Sequence, residues 1–386
     1  NTAPTLVGGE GGGIGWGSAY VLLPWWMYQY YDDKQILERH YASMKKYLNY
    51  LRNLARNDAI PEETHIINDF GGYWDSLGEW RAPGEKDGPN HPVVNTYYFY
   101  KDARVLAQIA EVTGHMQDAE HYRALADTIK QAFNQKFYNP ETHLYGVDTV
   151  YQTYQLIALA GNLVPKADRQ DVMQTLIRDI TETKDGHLYT GIIGTQHLWH
   201  VLSKAGRADV AYQTVKQTTY PGYGYWLENG ATTLWEVWSG EASHNHQMFG
   251  SVNSFFYQYL AGIRAPVNGK TTRAYRHIQI KPFIPEDLDS VGAAVFTAAG
   301  EVASRWHKAD DKLHLQVTIP AGSTATIHVP VSDEEAVTVK ADQTVVWENG
   351  RFQKRMKGIQ SGKPADSSIA FSTGSGTYRL TTIHKR

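Results

Sequence analysis

The stretch SVNSFFYQYLAGIRAPVNGK, residues 251–270, marks the point where the pattern of the chain changes. Upstream of Gly262, apolar residues recur three and four positions apart, the spacing of an amphipathic helix. The last such helix is predicted at about 246–262, and its apolar face carries Val252, Phe255, Phe256, Tyr259 and Leu260. Downstream, KLHLQVTIP (312–320) alternates apolar and polar residues, as do TATIHVP and AVTVK, which is typical of strands. The sequence therefore predicts helical hairpins followed by an antiparallel β-sandwich, with the boundary near IRAPVNGK.

The same helical spacing extends through the first two thirds of the chain. From Leu37, apolar side chains follow at Tyr41, Met44, Leu48 and Leu51. Further helices are predicted at about 93–113, 117–137, 150–161, 166–181, 192–205 and 207–219. Two segments lack the pattern and are predicted as loops: the glycine-dense opening PTLVGGEGGGIGWGSAY, and residues 61–92, which are rich in Gly, Pro, acids and Trp. A loop of that length in a compact domain is often functional.

Composition narrows the class of protein. The 386 residues suffice for two domains, and 37 Lys and Arg against 40 Asp and Glu give a net charge of −3, without the basic excess of nucleic-acid binders. No apolar run is long enough to span a membrane. The absence of cysteine excludes disulfides and thiolate metal sites. The 11 Trp, 25 Tyr and 11 Phe are suited to sugar faces, although a large aromatic core explains them equally well.

The strongest candidate for chemistry is Glu236 in ENGATTLWEVWSG (228–240), where Trp235 and Trp238 flank it. A carboxyl group beside apolar rings can act as a general base, whereas the simpler reading is a surface acid in a loop. SHNHQMFG (243–250) follows closely and contributes His244 and His246. A neutral imidazole could bind a ligand hydroxyl, or it could be a hydrogen-bonded structural histidine.

A second group of acids lies in the 61–92 loop, interleaved with tryptophans. Its members are Asp69, Asp75, Glu79 and Glu85, with Trp74 and Trp80. Paired carboxyl groups suit glycoside hydrolysis, and single ones can accept sugar hydroxyls or simply be solvated.

Metal and cofactor sites are not indicated. His244 and His246 have the H-x-H spacing of two metal ligands, but no third ligand stands at recognisable spacing, so neither a metal nor a cofactor is predicted. The run GGEGGGIG lacks the Lys-Ser/Thr of a phosphate-binding loop, and no G-x-S-x-G nucleophile motif occurs.

Several motifs together resemble family 78 of the glycoside hydrolases, the bacterial α-L-rhamnosidases. The resemblance over residues 1–262 rests on GWGSAYVLLPWWMYQYYDD, SLGEW, PVVNTYYFYKDARVLAQIAEVTG, HLYTGIIGTQHLWHVL, YPGYGYWLENGATTLWEVW and SHNHQMFGSVNSFFYQYLAGI, in the family's order. RHIQIKP and HLQVTIPAGSTATIHVP resemble its C-terminal β domain. GATTLWExW with NHxxFGSVxxxxYxxLAGI is a fairly specific pair.

The resemblance implies an (α/α)6 barrel at 1–263, a β-sandwich at 264–386, and release of terminal α-L-rhamnose with inversion. By the same resemblance, Glu236 is the general base, and His246 contacts the sugar. The further substrate contacts implied are Glu79, Trp80, Trp16, Trp226 and Trp235. The expected partner is a rhamnose-containing glycan or glycoside, with no nucleic acid and no membrane span. By analogy a periplasmic or secreted location is expected, with the cytoplasm left open.

Three departures from the family pattern affect these expectations. Ser18 and Glu79 stand where the family usually has Asp. The family's general acid lies on a motif upstream of the W-G-D-A segment, and this chain starts after it. About nine helical segments are predicted where a closed barrel needs twelve. The sequence is therefore expected to be the C-terminal part of a longer enzyme, whose N-terminal remainder is its partner, with Glu10 as the alternative acid. Another (α/α)6 hydrolase, or a non-catalytic sugar-binding barrel, would also fit.

Overall fold

The computed structural model describes residues 13–56, 64–71, 77–84, 91–146, 148–266, 272–331, 336–353 and 356–384. The described residues form two compact units. The first contains the residues up to Trp25 together with Lys34–Val252, and the second contains Trp26–Asp33 with the residues from Asn253 onward. The units thus separate at Val252, and the domain limits of 1–263 and 264–386 stay predictions.

Most of the described helices belong to the first unit, called the helical unit below, while Ala19–Tyr31 and Val252–Phe255 each run from one unit into the other. The helices are α1 (Gly13–Gly17), α2 (Ala19–Tyr31), α3 (Lys34–Leu54), α4 (His91–Thr113), α5 (Met116–Phe137), α6 (Gln152–Gly161), α7 (Arg169–Arg178), α8 (Ile192–Lys204), α9 (Ala208–Lys216), α10 (Tyr223–Glu228) and α11 (Val252–Phe255). A π-helical turn, Asp179–Thr183, extends α7, and a two-stranded hairpin, β1 (Tyr138–Asn139) with β2 (Leu144–Tyr145), follows α5. No helix of the described segments is long and apolar enough to cross a membrane.

Helix α3 shows why the helical spacing was a reliable guide. All five apolar residues of the predicted stripe, from Leu37 to Leu51, are buried. Residues three and four apart share one face of a helix, so this stripe can be buried while the charged face stays in water. The predictions at 93–113, 117–137, 150–161, 166–181, 192–205 and 207–219 are confirmed as α4 to α9, with shifts of a few residues at the ends.

The glycine-dense opening was predicted as a loop, but from Gly13 onward it is helical. A Cβ at Gly15 would lie 2.9 Å from the Tyr98 ring, and one at Gly17 would lie 2.5 Å from the Tyr47 hydroxyl. These glycines therefore permit close packing of α1 rather than a turn. Helix α2 was missed because apolar residues occupy nearly every position of AYVLLPWWMYQYY, which hides the helical period.

The last predicted helix is much shorter than expected. Residues 246–251 are not helical and include a turn at 248–251, and α11 continues into a π-helical turn at Phe256–Leu260. A π-helical turn holds one extra residue, which rotates the apolar face. Phe256 consequently points outward and is exposed, whereas Val252, Phe255, Tyr259 and Leu260 are buried as predicted.

The second unit contains an antiparallel β domain of two sheets. Its strands are β3 (His277–Ile280), β4 (Ser290–Thr297), β5 (Gly300–Ala309), β6 (Lys312–Ile319), β7 (Thr324–Pro330), β8 (Val337–Ala341), β9 (Thr344–Glu348), β10 (Arg351–Phe352), β11 (Ile359–Ala365), β12 (Ser368–Thr373) and β13 (Gly376–His384). One sheet has the order β10-β9-β8-β13-β6-β5-β4 and the other β11-β12-β7-β3. Within the described strands, the β3–β7 pair departs from the prediction because it is parallel.

The two sheets enclose one apolar core. Val302, Trp306 and Leu315 of the larger sheet belong to the same buried cluster as Ile327 and Phe371 of the smaller sheet. Side chains of a strand alternate between its faces, so each strand contributes every second residue to this core. This alternation is the pattern that the sequence showed at 312–320 and 324–330.

Candidate active site

Residues 234–246 fold back so that Glu236 and His246 lie on neighbouring backbone segments. The Glu236 amide donates a hydrogen bond of 2.8 Å to the Ser243 carbonyl oxygen, and the His246 amide donates one of 2.9 Å to the Leu234 carbonyl oxygen. The structure therefore brings the predicted acid and the predicted histidine close together along the backbone.

The turn of this loop is packed against Trp235. Gly240 has φ +81°, and a Cβ there would lie 2.5 Å from Cζ3 of the Trp235 ring, so glycine is required. A further neighbour of this ring is His244, which stacks on it at 4.2 Å with an angle of 12° and donates from Nε2 to the Gly240 carbonyl oxygen at 2.8 Å. Trp235 is 5% exposed and its ring supports the loop, and its predicted contact with the substrate stays a prediction.

Trp226 and Trp238 lie in the core beneath the loop. Their rings stack at 4.6 Å, and Nε1 of Trp226 donates to the Trp238 carbonyl oxygen at 3.0 Å. Nε1 of Trp238 in turn donates to the Thr190 carbonyl oxygen at 2.9 Å. Trp226 is 2% exposed, and its predicted role as a sugar platform stays a prediction. Trp226 and Trp238 thus connect the loop of Glu236 to the segment that precedes α8 through hydrogen bonds and ring packing.

Glu79 is fully buried at the N-terminus of α8. Its carboxylate accepts hydrogen bonds from the amides of Ile193 (2.7 Å) and Gly194 (2.9 Å), from its neighbour Trp80 (3.2 Å), and from the Thr153 hydroxyl. The first amides of a helix lack intrahelical partners, and a negative charge there is favourable. Burial raises the pKa of Glu79 to about 7, while these hydrogen bonds act in the opposite direction. The described hydrogen bonds of this carboxylate are all made within the protein, and the predicted direct sugar contact stays a prediction.

Trp80 and Arg81 connect this buried anchor to the loop of Glu236. The Trp80 carbonyl oxygen accepts the Ile192 amide at 2.9 Å, which fixes the backbone beside α8. The Arg81 guanidinium carbon lies 4.7 Å from the centre of the Trp80 ring, and Nη2 lies 3.2 Å from Oε1 of Glu236. Trp80 is buried and its ring carries the arginine, so its predicted role as a sugar contact stays a prediction.

Sequence reasoning missed Arg81, and no local signal could have revealed it. The two partners of the ion pair are 155 positions apart, and the arginine stands in a loop with no period. A partner for an acid can be found from spacing within one helix or strand, but not across the fold.

His246 is half-buried with one ring nitrogen occupied. Its Nδ1 accepts the Met248 amide at 3.2 Å, so a neutral ring carries its proton on Nε2. Within the described part of the chain, no acceptor contacts Nε2. That nitrogen is available to donate to a ligand hydroxyl, and the predicted sugar contact stays a prediction.

The remaining predicted residues are not joined to this site by described contacts. Trp16 lies half-buried in α1, and none of the described contacts links it to Glu236. Asp69 is exposed, with Oδ1 3.4 Å from Nδ1 of His91 at the start of α4. Glu10, Trp74, Asp75 and Glu85 lie outside the described residues.

Ser18, one of the departures from the family pattern, is buried and hydrogen-bonded. Its hydroxyl donates to Oδ2 of Asp102 at 2.6 Å. Burial raises the pKa of Asp102 well above its usual range, and burial lowers the pKa of the adjacent Lys101 to about 8. Ser18 thus donates a hydrogen bond to the buried carboxyl group of Asp102, which a second carboxylate at position 18 would repel.

Metal coordination finds no support among the residues described. No three His, Cys, Asp or Glu side chains of those segments approach one another as ligands of one ion would. His244 and His246 use one ring nitrogen each within their own loop.

Comparisons with known proteins identify the same family for most of the chain. Residues 1–260 match the bacterial alpha-L-rhamnosidase 6 hairpin glycosidase domain, and residues 262–343 match the bacterial alpha-L-rhamnosidase C-terminal domain. An alpha-L-rhamnosidase of Formosa agariphila is 31% identical over 89% of this chain and 36% of its own length. One of Streptomyces avermitilis is 30% identical over 97% of this chain and 34% of its own length. The chain thus spans about a third of the length of these curated relatives.

Solved structures give the same result. The alpha-L-rhamnosidase from Dictyoglumus thermophilum superposes with a TM-score of 0.83 at 35% identity, over 96% of this chain and 40% of its own. The Streptomyces avermitilis alpha-L-rhamnosidase complexed with L-rhamnose superposes with a TM-score of 0.80 at 29% identity, over 98% of this chain and 34% of its own. Since the first domain match alone covers more than half of the residues, the chain belongs to the bacterial α-L-rhamnosidase family.

Proposed function

We propose that the protein is an inverting glycoside hydrolase that releases terminal α-L-rhamnose from glycans or glycosides. Family membership and the rhamnose bound by the Streptomyces avermitilis relative support this substrate. We further propose that the helical unit is part of an (α/α)6 barrel, the expectation drawn from the resemblance of the motifs.

The observation that carries the proposal is the state of the Glu236 carboxylate. Arg81 contacts Oε1, and no donor of the described segments contacts Oε2. The side chain is 21% exposed, so a water molecule can reach it. A general base needs such an oxygen within hydrogen-bond reach of the water that it deprotonates.

In the proposed reaction, Glu236 accepts a proton from water as the water oxygen attacks C1 of the rhamnose. The bond from C1 to the leaving oxygen breaks, and a carboxylic acid protonates that oxygen. Attack from the opposite face gives β-L-rhamnose. In inverting enzymes the two carboxyl groups stand roughly 6.5–9.5 Å apart, which leaves room for the water. His246, with its proton on Nε2, would donate to a sugar hydroxyl.

For the acid we propose the glutamate that the family carries upstream of its W-G-D-A segment, with Glu10 as the alternative. A Glu10→Gln variant separates the two. In the full-length gene product, its kcat should equal that of the unmodified enzyme on a substrate with a poor leaving group, and a kcat loss of 100-fold would identify Glu10 as the acid.

The experiment compares hydrolysis of 4-nitrophenyl α-L-rhamnoside by the full-length gene product and by its Glu236→Gln variant. Loss of a catalytic base typically lowers the rate by about 10²–10⁴-fold. Glu241→Gln is the matched control, because Glu241 is an exposed acid of the same loop, and its rate should not change. A Glu236→Gln variant that keeps most of the activity would show that the base is elsewhere.

Two further measurements define the reaction class. A panel of aryl glycosides and an unsaturated uronide should show a strong preference for the α-L-rhamnoside. Proton NMR during the first turnovers should show β-L-rhamnose before mutarotation. Early α-L-rhamnose would contradict inversion and would require a nucleophile instead of a base.

A further inference from the structure

The Arg81 guanidinium lies between the Trp80 ring and the Glu236 carboxylate. Its central carbon is 4.7 Å from the ring centre, and Nη2 is 3.2 Å from Oε1. The side chains of Arg81 and Glu236 are 24% and 21% exposed, so the pair is shielded from most of the solvent. An ion pair at such a depth, with one partner stacked on a ring, has far less freedom than a surface pair.

The backbone of Arg81 is held in an unusual conformation. Its φ is +64°, in the left-handed region that residues other than glycine rarely adopt. Such conformations cost of order 1–3 kcal/mol and persist only where the surroundings enforce them. Here the preceding residues are fixed on α8, through the Trp80 carbonyl oxygen and the buried Glu79 carboxylate. This anchor directs the Arg81 side chain toward the 234–246 loop.

The orientation of the Arg81 guanidinium leaves one of its own hydrogen-bond donors unpaired. Its Nε is buried and has no acceptor among the residues described. An unpaired buried donor costs roughly 1–3 kcal/mol. The orientation is therefore explained by the contacts that it does make, the ring of Trp80 and the carboxylate of Glu236.

We propose that Arg81 is a positioning residue for Glu236. By binding Oε1, it fixes the rotation of the carboxylate and leaves Oε2 for the attacking water. Arg81 acts through Glu236 and does not bind rhamnose itself. This inference rests on the proposed function, since it needs Glu236 to be the base.

The test measures kcat and KM for 4-nitrophenyl α-L-rhamnoside with Arg81→Met and Arg81→Lys. Misplacing a catalytic group by about 1 Å can cost around 100-fold in rate. Arg81→Met should lower kcat by about 10–100-fold and leave KM within about twofold, since the sugar contacts are intact. Arg81→Lys should recover part of that loss, because it restores the charge without the planar fork. In the Glu236→Gln background, Arg81→Met should cause no additional loss.

Arg123→Met is the matched control, because Arg123 forms an exposed ion pair with Glu111 at 3.4 Å, and its kcat should be unchanged. Thermal unfolding followed at 222 nm confirms that each variant is folded. If the methionine variant does not fold, the lysine variant decides alone, with a lowered kcat at constant KM expected.

Three results would overturn the inference while the proposed function stands. The first is an unchanged kcat in Arg81→Met or, where that variant does not fold, in Arg81→Lys. The second is a variant whose KM rises while its kcat is unchanged. The third is that Arg81→Met lowers kcat in the Glu236→Gln background by as much as it does in the unmodified protein. A full-length gene product that hydrolyses no rhamnoside before any substitution would instead overturn the proposed function, and the inference with it.

Discussion

Replacing Glu79 by glutamine tests how the buried anchor beneath the site is held. The folded protein raises the pKa of Glu79 from its ordinary 4.5 to about 7, because burial disfavours the charge. The folded state then binds the proton more tightly than the unfolded chain. The contribution of Glu79 to the free energy of unfolding is therefore complete below pH 4.5 and is lost as the pH rises through about 7. Between pH 5 and pH 8 this loss is on the order of 2–3 kcal/mol.

Glutamine does not titrate, so the variant should lack this loss. In the unmodified protein the Gly194 amide donates to Oε2 of Glu79. The amide nitrogen of glutamine cannot accept a hydrogen bond, so the Gly194 amide loses its acceptor in the variant. A buried donor left unpaired costs about 1–3 kcal/mol. Glu79→Gln should thus be less stable than the unmodified protein at pH 5, and the difference should shrink or reverse at pH 8.

The assay is urea unfolding at pH 5 and pH 8, followed at 222 nm, where the helices dominate the signal. Glu241→Gln serves as the control and should follow the unmodified protein at both pH values. The contrary result is a difference in the free energy of unfolding between Glu79→Gln and the unmodified protein that is the same at pH 5 and at pH 8. Glu79 would then be ionised throughout, and its four donors would outweigh burial.

Two further substitutions test the framework around the site. Gly191→Ala should destabilise the helical unit by about 3 kcal/mol or more, because its Cβ would lie 2.1 Å from the Trp80 carbonyl oxygen, which cannot move cheaply. Gly206→Ala is its control, since a Cβ there meets nothing within 4 Å, and it should cost only about 1 kcal/mol for its positive φ. Trp238→Phe should lower the free energy of unfolding by about 1–3 kcal/mol, because the Thr190 carbonyl oxygen loses its donor. Urea unfolding measures all three, and an unchanged midpoint for Gly191→Ala or Trp238→Phe would contradict the packing described.

The helical unit was predictable where one face of a helix is buried and the other is wet. Leu37 to Leu51 showed the period directly, and the strands at 312–330 showed theirs. Helix α2 was not predicted because apolar residues lie on all of its sides. The buried face after α11 differs from the prediction because the π-helical turn rotates the residues that follow it.

The candidate site was predictable as a set of segments but not as a set of contacts. Motif resemblance singled out Glu236 and His246, and the backbone pairing of their loop brings them together. The roles of Trp226 and Glu79 depend on burial, which a short motif does not encode: a tryptophan or an acid reads the same in a sugar site and in the core. Arg81 depends on a partner that is distant in the chain.

The most direct test of Glu236 as the base is azide rescue of a Glu236→Gly variant. Azide can occupy the space of the missing carboxylate and attack C1 in place of water, without needing deprotonation. A 2,4-dinitrophenyl α-L-rhamnoside is the substrate, because its leaving group departs without a general acid. If Glu236 is the base, the variant is inactive alone, and azide restores turnover with β-L-rhamnosyl azide as the product in the NMR spectrum. Full activity without azide, or an α-configured azide, would contradict it.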